Sequence, residues 1–346
     1  MDITKAQQLF QPEPGYLNTA SYGLPPQPAW DALQAVLADW RVGRTSWEPW
    51  GDATVRSRES FAALVGVSPS DVSTGAQVSQ MLAPIAAAVP DGARVVAPAE
   101  EFTSNLFPWL VQADRGVQVR TVPARDLATA VDDRTDVVAF SLVQSATGEV
   151  ADVAAITAAA AAAGALTVVD GTQACGWLPV DATRFDAFVC GAYKWLLSPR
   201  GTAFLATRPE LRSRLVPDQA GWWAGEDPQT SYYGPPLRLA TDARALDISP
   251  AWFCWIGTAP ALEVVHQVGV DAIHAHNVGL ANRFRAGLGM PDGDSAIVSV
   301  NIAGAEERLA AAGVRAAVRG GRVRASFHLY TTESDVDLAV SALTIR

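Results

Sequence analysis

VVDGTQACGWLPVDATRFDAFVCGAYKWLLSPRGTAFL, residues 168–205, decides how this chain of 346 residues is read. Its opening completes LTVVD (166–170), a short β-rich run that ends in an acid, and DAFVCGA (186–192) repeats the apolar pattern. Upstream lie DVVAFSLV (136–143), VQVRTVP (117–123) and ARVVAP (93–98), alternating with helix-like EFTSNLFPWLVQA (101–113) and VAAITAAAAAAGA (153–165), the latter stopped at Gly164. Continuous apolar strands separated by helices indicate an α/β layer with a mainly parallel sheet covered on both faces.

The ends of the chain read differently. Residues 27–42 and 250–288 carry helical patterns. After the turn-like MPDGD (290–294) come AIVSVNI (296–302), a helix at 305–312, RVRASFHL (322–329) and a helix near 333–343. The expectation is a large domain over 16–288 and a small α+β domain over 289–346, joined by residues 1–15.

Composition narrows the function. With 49% apolar and 18% charged residues the chain has material for a large core, and its net charge of −10 argues against gripping nucleic acid or an anionic membrane. The 3 cysteines, Cys175, Cys190 and Cys254, are odd in number and far apart, which speaks against a disulfide framework. His266, His274, His276 and His328 form no zinc spacing. MDITKAQQLF does not read as a signal peptide, so a reduced, cytoplasmic, soluble protein is expected.

Of the 26 Lys and Arg residues, only Lys5 and Lys194 are lysine. Arginine stays protonated, whereas a desolvated lysine loses its proton and becomes a nucleophile. Lys194 lies among apolar and aromatic residues; read alone, it is equally a lysine snorkelling its ammonium to water. Functional groups of open α/β sheets gather beyond the carboxyl ends of the strands. Asp170 and Gln173 follow one strand and Lys194 the next, which suits one small aromatic cofactor; Asp170 alone also reads as a turn cap. STGAQVSQMLAPIAAAV (73–89) places small residues before a helix start, where free N–H groups favour a phosphate. The dinucleotide and nucleoside-triphosphate glycine motifs do not occur.

VVDGTQACGWLPVD…FDAFVCGAYKWLLSPRGTAFL resembles the cofactor segment of the class V aminotransferases, pyridoxal 5′-phosphate enzymes of fold type I that include cysteine desulfurases, kynureninases and isopenicillin-epimerase-like proteins. The likeness runs from YLNTASYG (16–23) to VRASFHLYTTESDVD (323–337). It implies a seven-stranded, mainly parallel sheet between helices with a small C-terminal domain. It also implies that Lys194 carries the cofactor as a Schiff base, that Asp170 binds the pyridine nitrogen and that Gln173 approaches the phenolic oxygen. Phe102 falls where the family stacks a ring on the cofactor, Ala76 and Gln77 match the phosphate-binding helix start, and Tyr193 stands near the phosphate. Arg324 matches the arginine that pairs with the substrate α-carboxylate. Apart from the resemblance, Ser145 and Arg44 are expected as further substrate contacts, Arg44 because it lies between the rings of DWRVGRTSWEPWG. The family also implies a homodimer in which ISPAWFCWIGTAPALE (248–263), with Trp252, reaches the partner's cofactor phosphate.

Desulfurases of this family carry a catalytic cysteine shortly before the terminal arginine, but GVRAAVRGGRVRAS (313–326) has none. FTSNLFPWL, DISPAWFCWIGTAPALE and the short GGRVRASFHLYTTE ending resemble members near the ergothioneine-pathway C–S lyase. β-Elimination from an S-substituted cysteine is the expected reaction. Transamination or epimerisation of an amino acid is the alternative, and an inactive pyridoxal-phosphate-binding regulator is a third. The tryptophans and arginines of DWRVGRTSWEPWG (39–51) read as core or interface packing, or as a ring-walled substrate pocket.

Overall fold

The computed structural model describes residues 1–344; Ile345 and Arg346, the end of the expected small domain, lie outside the described residues. Seven strands, β1 (Val72–Gly75), β2 (Arg94–Pro98), β3 (Gln118–Val122), β4 (Val137–Ser141), β5 (Leu166–Asp170), β6 (Ala187–Gly191) and β7 (Ala203–Thr207), form one sheet in the order β1-β7-β6-β5-β4-β2-β3. β3, β2, β4, β5 and β6 run parallel, and β7 is antiparallel to both its neighbours.

Alternation along the strands builds two cores. Val138, Phe140, Val169, Phe188 and Phe204 face one layer, where Phe61 stacks on Phe204 with ring centroids 4.3 Å apart. Val137, Ala139, Val168, Ala187, Val189 and Leu205 face the other. Successive side chains of a strand point to opposite faces, so strands covered twice must be apolar throughout.

Several elements were not foreseen. Helix Trp47–Val65 opens with WEPWG, a stretch to which the sequence assigned no element; Pro49 and Gly51 fall near its start, and Pro costs little in a first turn. It packs against helix Trp252–Val268, which is separated from helix Val270–Gly287 by Gly269 at φ 87°. β1 and β7 are short and lie against each other, beside β6. Arg58 and Asp247, both buried, pin β1: Asp247 accepts the Thr74 N–H at 2.7 Å and an Arg58 Nη2 proton at 2.5 Å.

A second sheet of β8 (Ile297–Val300), β10 (Arg322–Ser326) and β9 (Ala317–Arg319) is antiparallel, with helix Glu333–Thr344 nearby. Gly320 and Gly321, at φ 54° and 74°, close β9 and β10 with a two-residue turn, the positive-φ pair that a tight hairpin demands. The segment 16–20 tracks this sheet: Ser326 N–H donates to Leu17 O at 2.9 Å, and Ala20 N–H to Ser326 Oγ at 2.9 Å. It then delivers Ser21, Tyr22 and Gly23 to the sheet edge where the cleft opens. Among the described residues no helix is long and apolar enough to cross a membrane.

Candidate active site

Because β1, β2, β4, β5 and β6 run in one direction, the segments that follow them meet at one edge of the large sheet. A cleft of about 300 Å³ lies there, lined by Ala76, Gln77, Phe102, Ser145, Asp170, Gln173, Tyr193 and Lys194 among others. These expected residues are therefore together, although they span more than a hundred positions of sequence.

Asp170 ends β5 and is buried; Thr172 supplies it a backbone N–H at 2.8 Å. Burial raises its proton affinity, while the Thr172 hydrogen bonds and the Lys194 charge act the other way. Lys194, 5% exposed, follows β6. Its Nζ stands 5.3 Å from the Phe102 ring centroid and 5.5 Å from that of Tyr193. Desolvation pulls its pKa down to about 8, with Arg324 and Arg319 adding to the fall and Asp170 opposing it. A lysine pKa brought this far toward neutrality gives a neutral amine far more often than an ordinary lysine does, which is what a nucleophile or proton acceptor needs.

The lysine loop is clamped on several sides. Trp195 Nε1–H donates to Gln173 Oε1 at 2.8 Å, and His328 Nε2–H donates to Trp195 O at 3.0 Å. Burial holds His328 neutral, its pKa lowered to about 3. Gly23 N–H donates to Tyr193 O at 3.0 Å, and a Cβ on Gly23 would lie 1.9 Å from Lys194 O, so only glycine permits this approach. Gln173 also gives its amide protons to Ala20 O and Ser145 Oγ, each at 3.0 Å. It thus braces the cleft, whereas the expected contact with a cofactor oxygen would require giving up one of those bonds.

Arg324, 1% exposed, projects from β10 to Ser145 Oγ at 3.1 Å and Ser21 Oγ at 2.9 Å. Its Nε has no partner among the described residues. Ala76 N–H is occupied by Gln80 Oε1 at 3.1 Å, but helix Val78–Ala88 carries no side-chain cap from Gln77, so its first amides face the cleft end with their dipole intact. Two expected contacts do not line this chain's own cleft. Arg44 is on the surface, bonded to Asp39 at 2.8 Å, because the chain turns at Gly43 and the two side chains meet locally. Trp252 packs with Trp47, Trp50, Trp222 and Trp223 in an aromatic cluster, and the expectation that it serves a partner's cofactor concerns a second subunit.

The sequence reading missed Glu101 and Arg200. Glu101 is buried and accepts the Ser141 N–H at 2.8 Å, the Ser141 hydroxyl, the Gln144 amide at 3.2 Å and the Phe102 N–H at 3.1 Å. Burial raises its pKa. Arg200 lines the cleft beside Gln77, 5.1 Å over the Tyr193 ring, and donates to Tyr22 O–H at 2.8 Å. Position next to the lysine block was the available signal for Arg200; nothing in EEF distinguishes Glu101 from Glu100.

The donor set has a direction: a buried carboxylate at one end, an uncapped helix start with Arg200 at the other, and a lysine with an exposed phenyl face between. It fits a flat heteroaromatic ring bearing a basic nitrogen and a phosphate, as pyridoxal phosphate does. Fold and cleft together are those of a pyridoxal-phosphate enzyme built on an open α/β sheet. A model of the class-V aminotransferase family matches residues 50–305, and the chain belongs to that family, whose members are pyridoxal-phosphate enzymes. Isopenicillin N epimerase of Streptomyces clavuligerus is 30% identical over 81% of this chain and 76% of its own length. A probable cysteine desulfurase of Methanothermobacter thermautotrophicus is 26% identical over 93% and 92%. The fold matches the cystine C–S lyase C-DES in complex with its product cysteine persulfide, with a TM-score of 0.85 and 20% identity over 96% of this chain and 97% of that one.

The electrostatics make a measurable claim for the cofactor-free protein. With Lys5 as an exposed internal reference, the pH dependence of amine acylation at Lys194 should show a midpoint near 8, as burial and the two arginines dictate. Asp170→Asn removes the anion that favours the ammonium, so the midpoint should move lower. A midpoint near the ordinary 10.5 in the folded protein would contradict the site's electrostatics.

Proposed function

We propose that this chain is a pyridoxal-phosphate C–S lyase that cleaves the Cβ–S bond of an S-substituted cysteine. The overall change is RS–CH2–CH(NH3⁺)–COO⁻ + H2O → RSH + pyruvate + NH4⁺. When bound, the cofactor supplies an electron sink for the charge left at Cα. Asp170 holds a proton at the ring nitrogen, which keeps that sink cationic. Arg200 and the start of helix Val78–Ala88 hold the phosphate, and Phe102 covers one face of the ring. Arg324 takes the α-carboxylate in its fork, an assignment supported by its having only neutral oxygens as present partners. Lys194 Nζ removes the Cα proton, and the sulfur leaves with the bonding pair.

The observation that carries this reading is the Gly320-Gly321 turn. It leaves no loop between β9 and β10 to hold a thiol, and none of the 3 free cysteines lines the cleft. A persulfide-forming reaction needs such a thiol; elimination to a free thiol product does not. The likeness to isopenicillin N epimerase supports a second reading, in which the Cα proton is returned instead of the sulfur being lost. The holoenzyme should release pyruvate from S-substituted cysteines with no keto acid present. Lys194→Ala should lower the rate about 10²–10⁴-fold, and replacing all three cysteines by serine should leave it unchanged. Loss of optical rotation without pyruvate would favour epimerisation, and no turnover across a broad amino-acid panel would favour a regulator.

We also propose a homodimer with shared sites in the reducing cytoplasm. Trp40, 59% exposed, meets Phe253 at 5.2 Å, and the rings continue through Trp50 and Trp252 to Trp222 and Tyr232. A contiguous aromatic face of this size suits an interface. Mixed Lys194→Ala and Trp252→Asp subunits should regain activity that neither has alone; an active monomer by light scattering would contradict the proposal.

A further inference from the structure

Arg319 is the last residue of β9, placed at the Gly320-Gly321 turn opposite Arg322. Arg322 turns away to Ser299, donating from Nε to Oγ at 3.1 Å. Arg319 turns toward the cleft side: its Nη2 reaches Ser21 Oγ at 3.3 Å, the same oxygen that accepts from Arg324 Nη2 at 2.9 Å. Two guanidinium groups therefore converge on one neutral hydroxyl. Arg324 in turn holds Ser145, which lines the cleft.

Such a pair is electrostatically unfavourable as it stands. Burial and the Arg319 charge pull the Arg324 pKa down to about 10. Arg319 also acts on Lys194 in the same sense. No carboxylate lies within ion-pair distance of Arg319 or Arg324 among the described residues, although many arginines elsewhere on the surface find one. The α-carboxylate of an amino acid neutralises one guanidinium. The other remains at the rim, exposed and with donors to spare beyond its own Val318 O and Ser21.

We infer that Arg319 is a specificity-determining residue that binds a second anionic group, so that the preferred substrate is an amino acid whose side chain ends in a carboxylate or sulfonate. In the C–S lyase reading this is a cysteine whose sulfur carries an anionic substituent. The inference rests on that reading only for Arg324 as the partner of the α-carboxylate. The tight glycine turn serves both features: it excludes a thiol-bearing loop and sets a cation in its place at the rim.

The test separates recognition from turnover. Calorimetric titration of the holoenzyme at low salt with glutarate and with pentanoate compares two acids of similar length that differ in one carboxylate. The dicarboxylate should bind about fivefold or more tightly than the monocarboxylate, and raising the salt should erode that preference because Arg319 is exposed. Arg319→Gln should bring the ratio close to one, and Arg319→Lys, which keeps the charge and loses the fork, should restore part of it. Pyruvate release from S-(2-carboxyethyl)cysteine relative to S-propylcysteine should follow the same order. Equal binding of the two acids, absence of binding, or a preference that Arg319→Gln leaves intact would overturn the inference. A preference that depends on Arg319 in a protein that forms no pyruvate would sustain it and defeat the lyase reading instead.

Discussion

Lys194 and Asp170 lie at the ends of adjacent parallel strands, both withdrawn from water, and the rest of the site is arranged around what that withdrawal does. Desolvation favours the neutral form of each, while their mutual attraction favours the charged forms. For Lys194 desolvation prevails, aided by two arginines, and the amine is left poised near pH 8. A surface lysine with the same sequence neighbours would stay an ammonium and could not serve as nucleophile or base. The cost of holding these groups in a dry place is met by the two-layer apolar core on either face of the sheet.

The second requirement is position. A lysine side chain is long and flexible, so its loop must be fixed by other means. Here the fixing groups come from distant parts of the chain: Gly23 from the N-terminal segment, Gln173 from the end of β5 and His328 from the segment after β10. Each bonds to residues 193–195 or their side chains. The small sheet is thus not an appendage to the cleft: β10 carries Arg324 to Ser145 and Ser21, and the segment that follows it brings the neutral His328 to the lysine loop.

Much of this was legible in the sequence, for identifiable reasons. β5 falls at 166–170 and helix Val153–Ala163 ends at Gly164, as read, because a run of alanines and a β-branched run with a glycine between them leave little ambiguity. Asp170, Gln173 and Lys194 were found because they follow such strands, and the scarcity of lysine singled out Lys194. Helix Trp47–Val65 was not, since its Pro and Gly near the start obscure the helical pattern and its packing against helix Trp252–Val268 is a tertiary feature. Arg44 was read as an anion contact because it lies between tryptophans in sequence; in this chain it pairs locally with Asp39, a meeting that the pattern did not reveal. Glu101 and the convergence of Arg319 with Arg324 on Ser21 depend on side chains meeting across the fold, which periodicity does not encode.

The central claim is that the dry lysine beside Asp170 is where the cofactor is bonded. Borohydride reduction of the protein loaded with pyridoxal phosphate, followed by proteolysis and mass spectrometry, locates that bond directly. A stoichiometric phosphopyridoxyl group on Lys194, with Lys5 unmodified, is the predicted result. A group on Lys5, or none on Lys194 in the folded and loaded protein, would contradict the account.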